Sequence, residues 1–195
     1  MTEHRPQSSA QRGFTLVEVM IAIAVLTIGI LSMAAVLGMS VRNVAYAEEE
    51  LIARQKALQA LESVYTARNT SQITFAQIAN TPSGIFTQGA TQLLCAGPDG
   101  LVNTTDDVSC PASGPCAAGP ECVVLPGPDG VLGTADDVAM SLSNFTRQIA
   151  ISSVLEADGV TVNPTLKSIT VTITYAQSGA APQSYTVQSL ISAYN

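Results

Sequence analysis

The sequence predicts an α+β protein: one long N-terminal α-helix packed on a C-terminal antiparallel β-sheet, with a disulfide-rich loop region between them. Three observations carry this. The run from Val19 to Val41 is apolar and free of charge, and from Val44 to Tyr65 apolar residues recur at three- and four-residue spacings. Over the last third of the chain, apolar and polar residues alternate in segments rich in β-branched side chains.

Residues 1–13 are polar, with Arg5 and Arg12 against Glu3, and hold no apolar core. A membrane-spanning helix needs roughly 20 apolar residues, and Val19 to Val41 supplies that length, about 35 Å at about 1.5 Å per residue. Glu18 stands at its front. A carboxylate at bilayer depth costs on the order of 2.5 kcal/mol or more, which marks it as a functional group needing a partner. Ser32-Met33-Ala34 offers a small-x-small site of the signal-peptide kind, but a cut there discards the best helix in the chain.

The helix is expected to continue. Val44, Ala47, Leu51, Leu58, Leu61 and Tyr65 form the expected packing stripe, widened by Ile52 and Val64. Glu48, Glu49, Glu50, Arg54, Lys56, Glu62 and Arg68 are assigned largely to the other faces, with Glu50 and Arg54 as an i,i+4 pair. One helix from about Phe14 to Arg68, roughly 80 Å long, then has a membrane and assembly half over 14–41 and a sheet-covering half over 42–68.

Residues 69–142 shift to Gly, Pro, Ser, Thr and Asp, with short strands expected near 84–87 and 122–125. Cys95, Cys110, Cys116 and Cys122 all fall here. An even, clustered set implies disulfides and an oxidising compartment, with three pairings open. Metal ligation is disfavoured because no Cys-x-x-Cys occurs and the lone histidine, His4, is near the N-terminus. The region also repeats itself: Gly97-Pro98-Asp99-Gly100-Leu101-Val102-Asn103-Thr104-Thr105-Asp106-Asp107-Val108 returns as Gly127-Pro128-Asp129-Gly130-Val131-Leu132-Gly133-Thr134-Ala135-Asp136-Asp137-Val138. Pro-Asp-Gly signals a turn, which does not require the later Asp-Asp pair. Asp99, Asp106 and Asp107 with Asn103, and Asp129, Asp136 and Asp137, suit calcium, a hard cation taking six to eight oxygens; acidic turns in a solvated loop are the alternative. The repeats depart from an EF-hand loop, since Leu101 and Val131 fill its second ligand position and no glutamate closes it. With so little apolar content around Cys110 to Cys116, disulfides and calcium are expected to stand in for a core.

The region 143–195 reads as three strands: Phe145 to Val154, Leu166 to Tyr175 and Tyr185 to Ile191, broken by Asp158-Gly159 and by a turn from Gly179 to Pro182. Their alternation implies an antiparallel sheet with one face covered.

Several function classes drop out. With 8 Lys plus Arg against 15 Asp plus Glu, a net charge of -7 and scattered cations, nucleic acid is not an expected partner. No catalytic constellation is visible, because the serines lack a base and the adjacent Asp106 and Asp107 suit ligand or solvated-charge roles better than hydrolysis.

The segment Gly13-Phe14-Thr15-Leu16-Val17-Glu18, running into the apolar helix, resembles the prepilin cleavage and methylation motif of type IV pilins and their type II secretion relatives. The resemblance implies a pilin-like fold and cleavage between Gly13 and Phe14 by the prepilin peptidase, a membrane aspartyl protease, with N-methylation of the new Phe14 amine. It also implies that Arg5 and Arg12 stay cytoplasmic, that the protein is a single-pass inner-membrane protein with a periplasmic C-terminal domain, and that it then enters a filament at the cell surface among major and minor pilins. Glu18 would pair with the Phe14 amine of a neighbouring subunit. The run Val19 to Leu37 is most similar to the PilV minor pilins, the type IV pilus modification proteins. Small residues Ala22, Gly29, Ser32, Ala35 and Gly38 would let helices approach closely. Unlike many major pilins, the helix has no proline between Pro6 and Pro82. The expected role is therefore a non-enzymatic minor pilin, with a minor pseudopilin of a type II secretion system or a singly anchored surface binding module as alternatives.

Overall fold

Leu16 to Asn69 form one α-helix, α1, in a computed structural model that describes residues 13–176 and 181–194. Six strands follow: β1 (Thr91–Gln92), β2 (Cys122–Leu125), β3 (Val138–Ser141), β4 (Phe145–Leu155), β5 (Val162–Tyr175) and β6 (Gln183–Ser192). The chain divides into two units, one through Ala47 and one from Glu48 onward.

The first unit is the front of α1, and its large apolar side chains, among them Leu16, Met20, Ile23, Ile30, Leu31 and Leu37, are exposed. Two of its hydroxyls bond back to the helix backbone. Thr27 donates to the Ala24 carbonyl at 2.8 Å and Ser32 to the Ile28 carbonyl at 2.7 Å, as an apolar surrounding requires. The helix is long and apolar enough to cross a membrane.

In the second unit the rear of α1 buries Ile52, Ala53, Ala57, Ala60, Val64 and Ala67. These positions recur at three and four residues and share one face. Of the expected stripe, Ile52 and Val64 are buried and Leu61 and Tyr65 pack partly buried against the core, but Leu51 and Leu58 are 65% and 43% exposed, and Val44, in the first unit, is exposed too. The buried face is thus centred on the alanines, rotated around the helix from the face that carries Leu51 and Leu58. Alanines let the helix backbone approach its neighbours closely, whereas hydrophobicity ranks leucine above alanine and so selects the wrong side. Glu49, assigned to an outer face, is buried for the same reason.

The larger sheet has the order β1-β4-β5-β6, antiparallel throughout, and β2 pairs with β3 as a separate hairpin. Its covered face carries Phe145 and Ile149 from β4, Ile169, Val171, Ile173 and Tyr175 from β5, and Ile191 from β6. Phe145 and Tyr175 are partners across the ladder and stack at 5.4 Å. The expected strands at 145–154, 166–175 and 185–191 are thus present, and β5 begins earlier, at Val162.

The middle region differs most from expectation. It contributes Ile73, Ile78, Phe86, Leu93, Leu101 and Leu142 to the core, none of them from Cys110 to Cys116, the segment where disulfides were expected to stand in for a core. Each residue arrives from a turn rather than from a periodic element, which leaves no period to read. Residues 84–87 form isolated bridges from Phe86 to Asn80 and Thr104 instead of a strand; β2 lies where expected, while β1 and β3 were not foreseen. Asn80 finishes the edge of β4 by donating to the Ile149 carbonyl at 2.7 Å and accepting from the Ile151 N–H at 2.8 Å. Lys167, on β5, donates to the carbonyls of Phe75 and Ile78 at 2.8 and 2.7 Å and lies 4.6 Å from the centre of the Phe75 ring. Its partial burial lowers its pKa.

Candidate functional site

At the N-terminal end, Gly13, Phe14 and Thr15 precede the helix and are exposed, Phe14 at 82%. Thr15 is the cap: its hydroxyl oxygen accepts from the Glu18 N–H at 3.3 Å, and its carbonyl accepts from Val19 at 3.2 Å. Thr-x-x-Glu is the capping-box spacing, a signal that the emphasis on Glu18 as a membrane charge passed over. Glu18 therefore lies in the first turn, where a carboxylate complements the helix dipole. Among the described residues no ion pair involves it. Nothing lies within 4 Å of where a Cβ on Gly13 would be, so packing does not demand glycine there. The Gly13–Phe14 bond sits in exposed chain ahead of the helix, accessible as a peptidase needs.

The cysteines pair as Cys95–Cys110 and Cys116–Cys122, one of the three pairings left open by the sequence. The two repeats fold as the same loop. Asp99 Oδ1 accepts from the Leu101 N–H and Asp129 Oδ1 from the Val131 N–H, each at 2.8 Å. Asp106 accepts from the Asp99 N–H at 3.4 Å and the Thr104 hydroxyl at 2.6 Å, and Asp136 does the same with Asp129 at 3.3 Å and Thr134 at 2.6 Å. Asp107 and Asp137 accept from the N–H groups of Asn103 and Gly133 at 2.8 and 2.7 Å. Gly97 and Gly127 are required, because a Cβ on either would run into the Asp106 or Asp136 carbonyl.

The loop's own donors set its electrostatics. The Thr104 hydroxyl holds Asp106 below the usual aspartate pKa, and the Thr134 hydroxyl does so for Asp136. Asp99 is pushed up, first by burial and further by the neighbouring Asp106 charge, against the opposing Leu101 N–H. The fold thus brings Asp99 to Asp106 and Asp129 to Asp136 but turns the last aspartate of each copy onto backbone N–H groups. Among the described residues no three His, Cys, Asp or Glu side chains form a group that could hold a metal ion. Asn103, expected as a ligand, is fully buried and bonded to Thr87 and Thr91.

One cluster was not anticipated. Arg147, 2% exposed on β4, donates to Glu121 at 3.1 Å and to the Leu94 carbonyl at 3.4 Å and lies 3.9 Å from Asp107, while Lys56 of α1 meets the other Glu121 oxygen at 2.6 Å. The signal was available, since strand alternation puts Arg147 on the face of Phe145 and Ile149. Lys56, Glu121 and Arg147 border a cavity of about 490 Å³ that both disulfides also line.

The family model described as the prokaryotic N-terminal methylation motif matches residues 8–34. The chain carries the type IV pilin and pseudopilin signal. That supports a pilin-like protein, with processing by prepilin peptidase, membrane anchoring and assembly with other pilins, in a class of subunits that is generally structural. Searches of curated proteins and of solved structures return no match. The long N-terminal helix, the C-terminal antiparallel sheet and the two disulfides fit the pilin-like α+β arrangement.

Proposed function

We infer that the protein is a minor pilin of the PilV type, cut between Gly13 and Phe14, methylated on Phe14, and inserted from the inner membrane into a type IV filament through the front of α1. The observation that carries this reading is the methylation motif over residues 8–34, in register with a helix that Thr15 caps and whose front half exposes its apolar side chains on every side. Those side chains need a surrounding: moving each leucine or isoleucine from water into lipid or a helix bundle contributes about 1.5–3 kcal/mol. Gly29 and Gly38 have nothing within 4 Å of a built Cβ, so close helix approach in an assembly is what would use them. Glu18 supplies the charge for a neighbour's methylated amine, sparing both ions the cost of unpaired burial.

Intact-mass measurement of the mature chain tests the reading. The expected mass lacks residues 1–13 and carries one added methyl group; an attached leader or an unmethylated Phe14 overturns it. Glu18→Ala is expected to leave cleavage intact and remove the protein from sheared filaments, and normal incorporation would refute the pairing. A minor pseudopilin of a type II system carries the same motif, and co-purification with secretion components instead of pilus filaments is the result that favours it.

A further inference from the structure

The two repeats share one loop but are seated differently. Gly100 and Gly130 take φ of 68° and 69°, and Asn103 and Gly133 take 67° and 89°. Together with the matched aspartate and threonine hydrogen bonds, this makes the loop a fixed scaffold presenting the two residues after Gly100 or Gly130: Leu101-Val102 in the first copy, Val131-Leu132 in the second.

In the first copy that pair is docked within its own unit. Leu101 is 1% exposed in the hydrophobic core, and Val102 packs against it. Asn103 bonds Thr87 and Thr91, and Asp107 lies 3.9 Å from the Arg147 guanidinium. In the second copy, carried between β2 and β3, the pair is presented instead. Val131 and Leu132 are 55% and 61% exposed. The buried Oδ1 of Asp137 has no hydrogen-bond partner among the described residues, whereas Oδ1 of its counterpart Asp107 accepts from the Thr104 N–H and hydroxyl; the Arg147 guanidinium lies beside Asp107 Oδ2. Gly133 replaces Asn103 and so cannot make the threonine bonds. No lysine or arginine occurs between Arg68 and Arg147 to serve Asp137 from within the segment.

We propose that the second repeat is a docking knob for a partner protein whose surface offers what the first repeat finds in its own chain: an apolar socket with an arginine or lysine at its rim. The same scaffold presents the same kind of pair twice, filled once and open once. A second copy of this chain is a poor occupant, because its matching socket already holds Leu101 and its net charge of -7 opposes self-association. The proposal does not depend on the filament reading.

The test places a benzoylphenylalanine photocrosslinker at exposed Ala135 in the full chain, in the cells that produce it. The expected result is one discrete protein adduct whose crosslinked peptide, read by mass spectrometry, joins at apolar residues beside an arginine or lysine. Val131→Ser with Leu132→Ser lowers its yield about tenfold, while Val160→Ser, at an 82% exposed valine elsewhere, leaves it unchanged. Asp137→Asn keeps the acceptor for the Gly133 N–H and lowers the yield about threefold at low salt but not at high salt. Melting temperatures of the loop variants match the parent chain, which separates loss of docking from unfolding. Adducts confined to phospholipid or to a second copy overturn the proposal, as does a yield indifferent to the Val131 and Leu132 changes or to Asp137→Asn at low salt.

Discussion

Arg147→Met removes the most deeply buried charge of the second unit and leaves its neighbours in place. Glu121 keeps Lys56 at 2.6 Å but loses the guanidinium at 3.1 Å, the Leu94 carbonyl loses a donor at 3.4 Å, and Asp107 loses its nearest cation at 3.9 Å. Taking one partner out of a buried ion pair costs about 3–5 kcal/mol, because the remaining charge is desolvated without compensation. Arg147 is 2% exposed, which argues against discounting for solvent; the Glu121 side chain is 13% exposed and keeps Lys56, which places the cost near the lower end, about 3 kcal/mol. For a unit of this size each kcal/mol shifts Tm by about 2–4 °C, so the expected fall is about 9 °C. The assay is thermal melting of the detergent-solubilised full chain by circular dichroism, with the Arg147→Met, Glu121→Leu double variant beside it. Removing both charges leaves Lys56 free to turn its ammonium to water, so the double variant should melt above the single. A loss under about 1 kcal/mol in the single variant, or a double variant no better, would refute an electrostatic role for this cluster.

Two further predictions come from the repeats. Leu101→Ala, at a 1% exposed core position, should destabilise by about 3 kcal/mol or more, while Val131→Ala at the equivalent, 55% exposed position should stay within about 0.5 kcal/mol; equal effects in chemical denaturation would contradict the difference in seating. Acid melts test the capped loops: a carboxylate whose folded pKa is depressed contributes stability that is present above its unfolded value and lost as pH falls through the folded one. Asp136 is depressed below 3.8 chiefly by the Thr134 hydroxyl, so Thr134→Val should melt lower than the parent at neutral pH, with the gap closing once the pH falls below about 3.8. Melts in millimolar calcium and in chelator test the hard-cation reading: a higher Tm in calcium supports it, and coincident melts leave the carboxylates to the loops' own donors.

Residue order alone determined the elements whose evidence is local. Gly13, Phe14 and Glu18 are legible because a peptidase and a membrane both read short sequence. The apolar run, the helix it belongs to and the alternating strands β4 to β6 follow from periods of 3.6 and 2 that survive in any context. The capping role of Thr15 was also legible, through its spacing to Glu18.

Tertiary structure decided what depends on distance between elements. Which face of α1 is buried turned on alanines at 53, 57 and 60 permitting close approach, and a hydrophobicity scale cannot weigh that against Leu51 and Leu58. The core residues of the middle region, from Ile73 to Leu142, have no period because turns deliver them one at a time. The cysteine pairing and the Lys56–Glu121–Arg147 cluster join residues separated by loops whose path only packing fixes. The two repeats make the division sharpest. Their hydrogen-bonded loop was written twice in the sequence, but only the fold put Leu101 in a core and left Leu132 outside one.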